Sequence, residues 1–78
     1  MSRRDKLIEK MRRTPADIRF AEVNALLRCE GFVVFNARGS HRTYHRADNK
    51  VLTLVRPHGS RKTCSARDIG KLLEILEL

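Results

Sequence analysis

The spacing of apolar residues changes period at Gly31, and this change constrains the fold more than any other feature of the chain. Before it, Phe20, Val23, Leu26 and Leu27 recur at helical intervals. After it, Phe32, Val33, Val34 and Phe35 form a β-branched and aromatic run, and residues 36–39 supply turn chemistry, which predicts a first strand and a hairpin. Residues 40–46 then alternate, with His41, Thr43 and His45 on one face and Arg42, Tyr44 and Arg46 on the other. A polar turn at 47–50 leads into the apolar run 51–55, which predicts a third strand.

Helices flank this meander. Ser2 and Asp5 have the spacing of a capping box, and Leu7, Ile8 and Met11 share one side of a helix over residues 3–13. A second helix runs to about residue 30, starting between Pro15 and Phe20. Ser65 and Asp68 open a third helix, whose apolar side is Ile69, Leu72, Leu73 and Leu76. The expected fold class is therefore α+β: a small three-stranded antiparallel sheet with two helices on one face, in the order α-β-β-β-α, plus an N-terminal helix. The other sheet face is expected to stay wet, Phe20, Phe32, Phe35 and Tyr44 to belong to the core, and residues 1–19 to be separable from it.

With 78 residues the chain has room for one small core and no large cofactor fold. Lys and Arg number 17 against 9 Asp and Glu, a net charge of +8, which points to polyanionic partners. Hydrophobic residues make up 41%, enough for a folded domain rather than a basic tail. No apolar run approaches the roughly 18 residues of a membrane span, so a cytoplasmic chain without membrane contact is expected. Cys29 and Cys64 form no CxxC and are expected as free thiols. His41, His45 and His58 lack the paired spacing of a zinc site, so no metal and no small-molecule cofactor is expected.

The segment richest in chemistry is Arg38, Gly39, Ser40, His41 and Arg42, which puts an imidazole directly after a tight turn with guanidinium groups on both sides in sequence. RNA can be cleaved without a metal where a base takes the 2′-hydroxyl proton and cations stabilise the charge building on phosphate oxygens. Histidine, with an ordinary pKa of about 6.5, suits the first task and Arg or Lys the second. Arg38, Arg42, Lys50, Arg61 and Lys62 fall in or beside turns and loops, where side chains can follow a phosphate backbone. His45, on the same strand face as His41, is a second candidate for proton transfer. His58 has no position that the sequence fixes. The bland alternatives are a solvated strand histidine and a solvated basic surface.

Gly39, Ser40 and His41 opening a strand, Arg56, Pro57, His58 and Gly59 after the third strand, and a closing amphipathic helix resemble the HicA toxin family, the mRNA interferases of HicA-HicB toxin-antitoxin pairs. The likeness covers roughly residues 20–77, including Glu30, Gly31 and Phe32 at the end of the second helix; residues 1–19 resemble an extension found in longer members. The resemblance implies a double-stranded-RNA-binding-domain-like fold and an endoribonuclease needing no metal. It also implies one catalytic histidine, His41 here, with Ser40 beside it at the RNA, and a HicB-like antitoxin that binds and blocks the enzyme. Residues 63–66 depart from the more lysine- and proline-rich connection of many relatives, and Gly70 interrupts the last helix. Two rivals remain: a non-catalytic RNA-binding module on the same fold, which needs the charges and not His41, and a domain that binds DNA or protein through a terminal helix.

Overall fold

The computed structural model describes residues 2–76; Met1 and residues 77–78, the last positions of the predicted domain, lie outside the described residues. Its elements are α1 (Arg3–Arg13), α2 (Phe20–Cys29), β1 (Val33–Arg38), β2 (His41–His45), β3 (Val51–Val55) and α3 (Ala66–Ile75). The strands form one antiparallel sheet in the order β1-β2-β3. The fold is thus α+β, with the element order expected from the sequence.

Local chemistry sets the boundaries. The Ser2 hydroxyl accepts from the Asp5 N–H at 3.1 Å and opens α1, and the Ser65 hydroxyl does the same for α3 with Asp68 at 3.2 Å. Thr14 and Pro15 do not start α2. Residues 15–17 instead form a turn, Ile18 and Cys64 are joined by a 2.8 Å backbone hydrogen bond, and α2 begins at Phe20. At its start the Glu22 carboxylate accepts from the Arg19 N–H at 3.0 Å and from Lys10 Nζ at 3.0 Å. Partial burial raises the Glu22 pKa, but these two partners outweigh it and hold the carboxyl below its ordinary value. Gly31, at φ 86°, ends α2: its N–H reaches the Arg28 carbonyl and the Phe32 N–H reaches that of Leu27, a paired closure that needs a left-handed residue.

The first hairpin is longer than predicted. β1 continues through Arg38, so that residues 36–38 are strand and only Gly39 and Ser40 turn. Gly39 takes φ 58°, which lets two residues suffice. The register slips between Val34 and Asn36, leaving Phe35 as an extra residue in the ladder.

The inner face of the sheet carries Tyr44, Leu52 and Leu54, all buried, against Val23, Leu26 and Leu27 of α2 and Ile69 and Leu72 of α3. Tyr44 anchors the two layers, its hydroxyl donating to Asn24 Oδ1 at 2.9 Å. Residues 2–19 pack into this core rather than standing apart from it as expected: Ile8, Met11 and Ile18 are buried in the same cluster, and α1 packs on both α2 and α3. A second correction concerns Phe35. Its ring lies on the outer face with Val33, the partner of His45, where it is 55% exposed and meets His45 edge-on at 4.8 Å.

Candidate nucleic-acid interface

His41 is the first residue of β2. Its neighbours in the sheet are Arg38 across the two-residue turn and Val55 on β3, and its side chain shares the open outer face with Thr43 and His45. It is exposed, on a backbone held from both sides by strand pairing. Arg42 faces the opposite way and braces the turn, its Nη1 donating to the Gly39 carbonyl at 2.7 Å and the His41 carbonyl at 3.2 Å. The dipeptide His41-Arg42 therefore sends an imidazole to one side of the sheet and a guanidinium to the other, as period-2 geometry requires.

A second segment is tied to this turn. The Arg56 N–H donates to the Ser40 carbonyl at 2.6 Å, so residues 56–62 leave β3 alongside the hairpin. Asp68, read from sequence as a capping residue, has a further role: its buried carboxylate accepts from the Val55 N–H at 3.1 Å and fixes the exit of β3 just before Arg56. The juncture opens into a cleft of about 560 Å³ lined by Gly39, Ser40, Arg42, Arg56, Pro57 and His58. An adjoining cleft of about 610 Å³ adds Arg19, Arg61 and Lys62 around the same Arg56 and Pro57. A smaller hollow of about 190 Å³ runs from His58 and Arg61 to Asp68. Arg61 is oriented by a 3.1 Å hydrogen bond from Nε to the Thr63 carbonyl.

Of the residues singled out from sequence, Arg38, Ser40, His41 and Arg42 stand together at the hairpin end, and Arg61 and Lys62 line the clefts beside it. Lys50 stands apart. It lies at the opposite end of the sheet, where its Nζ donates to the Ile75 carbonyl at 3.2 Å and caps α3. His45 is also distant, four residues along β2 from His41, or about 13 Å at the usual strand rise. His58, which the sequence leaves between the hairpin and a plain loop, joins the cluster, as does Arg56, which the sequence does not single out as a contact; the signal for both is the pairing of Val55 with His41, which becomes readable once the register is known.

The charge at this end is unbalanced. Between residues 31 and 67 the chain carries eight of its 17 basic residues and one of its nine acidic ones, Asp48. That carboxylate accepts from Arg46 Nε and Nη2, both at 2.9 Å, and these bonds hold its pKa down at about 2. Arg38, Arg42, Arg56, Arg61 and Lys62 make no ion pair among the described residues. The two cysteines are both free: Cys29 is exposed on α2, while burial, reinforced by Asp68, raises the Cys64 thiol to about 11. No helix among the described residues is long and apolar enough to cross a membrane. No family model, curated protein or solved structure matches this chain.

Proposed function

We propose that this chain is a metal-independent endoribonuclease of the HicA kind, acting on mRNA through His41 and held in check by a HicB-like antitoxin. The observation that carries the reading is the joining of two segments by the hydrogen bond from Arg56 to Ser40, which brings the clefts lined by Arg42, Arg56, Arg61 and Lys62 to the end of the sheet where His41 stands opposite Arg38. The RNA backbone follows the cationic clefts. Neutral His41 takes the proton from a 2′-hydroxyl, the freed oxygen attacks the adjacent phosphorus, and the bond from phosphorus to the 5′-oxygen breaks. The guanidinium groups stabilise the charge that builds on the non-bridging oxygens. The products are a 2′,3′-cyclic phosphate and a 5′-hydroxyl, whose proton comes from water.

A second reading has its own support. His41 is exposed and is not among the residues that line the three clefts, as suits a module that holds RNA through phosphate contacts without cutting it. His41→Ala separates the two. Under the nuclease reading it lowers cleavage by about 10²–10⁴-fold, the usual contribution of a general base, and leaves RNA affinity and the melting temperature near those of the parent. RNA integrity and end groups after incubation with each purified protein measure this. A 3′-hydroxyl product, or equal behaviour of the two proteins, removes His41 from the chemistry.

A further inference from the structure

The strand β1 is an open edge of the sheet. All six of its residues are exposed, among them Val33 at 55%, Val34 at 48% and Phe35 at 55%. α3 packs against β3 at the far side, leaving β1 to overhang. Exposed edges are ordinarily blunted by proline, lysine or inward charge, because their unpaired N–H and C=O groups template another strand. β1 has Arg38 at its end and the bulge at Phe35 in its middle, and otherwise presents the sequence Val-Val-Phe-Asn-Ala. The apolar surface continues over the outer face through Val51 and Val55, both exposed.

We propose that β1 receives an extended, acidic protein segment that adds to the sheet as a fourth strand. Three requirements select this occupant. The open edge asks for backbone donors and acceptors at strand spacing, which a polypeptide supplies and a sugar-phosphate chain does not. Val33, Val34 and Phe35 ask for apolar side chains at alternate positions. Residues 31–67, the segment to which β1 belongs, carry eight basic residues to one acid and ask for carboxylates; a second copy would bring the same positive charge to the contact. The proposal is independent of the nuclease reading, since it places no demand on His41.

The test uses the full chain labelled with nitrogen-15 and a capped peptide of alternating valine and glutamate, with the valine and lysine peptide as its counterpart. The glutamate peptide is expected to shift the amide resonances of residues 33–38 and to bind roughly tenfold or more tightly than the lysine peptide. The double variant Val33→Glu with Phe35→Glu, at positions where the parent side chains are exposed, is expected to keep a folded spectrum and lose the binding. Shifts confined to residues 56–62, equal binding of both peptides, or no response of β1 at millimolar peptide each overturn the proposal. So do two other results: a uridine oligonucleotide that shifts β1 resonances of the His41→Ala protein as strongly as the glutamate peptide, or sedimentation of the protein alone as a dimer with β1 amides protected from exchange. The first makes RNA the occupant, the second a second copy of the chain. Loss of cleavage by His41→Ala bears on the nuclease reading alone.

Discussion

The two halves of this small domain hold about the same number of cations and use them differently. Residues 1–30 contain eight basic and five acidic groups, and residues 31–67 eight basic and one acidic. In the first, Arg4 with Glu30 and Lys10 with Glu22 tie α1 to α2, and Arg4 with Asp5 and Arg13 with Glu9 pair within α1. In the second, Arg46 pairs with Asp48, while Arg42, Arg56, Arg61 and Lys62 line open clefts. A formal charge of +8 thus conceals a division of labour. Cations that already have carboxylates in the fold have little to give a phosphate, whereas those without one have most of their electrostatic free energy still available.

The division breaks first at α1 if that helix is a mere appendage. Met11 is fully buried among residues of all three helices, so Met11→Ala should cost about 2–5 kcal/mol, read as a lower midpoint in urea. Cleavage by the fraction still folded should be unchanged. A variant as stable as the parent would mean that the first half does not hold the second in place.

A comparison of two lysines sharpens it. Lys62→Ala removes a cation from the cleft and should lower the slope of log affinity against log salt for single-stranded RNA by about 0.7, the value of one phosphate contact. Lys10→Ala removes one already held by Glu22 and should leave that slope alone while lowering stability by about 0.2–1 kcal/mol. Equal effects on RNA would make the positive field of the whole chain, rather than the clefts, responsible for binding.

Much of this organisation is legible in the sequence, and the omissions share one cause. Helix caps and the stop at Gly31 are written in residues a few positions apart, so Ser2, Ser65 and Gly31 announce themselves. The alternation of β2 is equally local and puts Tyr44 inward without ambiguity. Phe35 is missed because the face of β1 that turns outward is set by its pairing with β2, where Val33 stands opposite His45 and puts Phe35 on the same outer side. Lys50 was grouped with the hairpin cations because both stand in turns, yet an antiparallel meander sends alternate turns to opposite ends of the sheet. Arg56 and His58 join His41 through the pairing of β3 with β2, a contact between residues far apart in the chain.

The lone acid of the second half offers a measurement by pH. Hydrogen bonds from Arg46 hold Asp48 at about 2 against an ordinary 3.8, so its contribution is fully present above pH 3.8 and is lost as pH falls through about 2. The carboxyl resonance of Asp48 should therefore titrate near 2 in the parent and return toward 3.8 in Arg46→Ala. An unchanged titration would show that the turn backbone, rather than Arg46, depresses the group.

The smallest effect is expected at Gly70, in the helix that closes the domain. Gly70 lies within α3, is exposed, and would place a Cβ in open space. Glycine there loses conformational freedom on folding that alanine never had, so Gly70→Ala should stabilise by about 0.5–1 kcal/mol and raise the melting temperature by a few degrees. α3 reaches the hairpin through Asp68, whose carboxylate holds the Val55 N–H. If the division of labour holds, stiffening the helix two residues further on changes melting and leaves RNA cleavage as it was. A stabilised variant with reduced cleavage would mean that the clefts need this helix to yield, and would place α3 on the side of the molecule that handles nucleic acid.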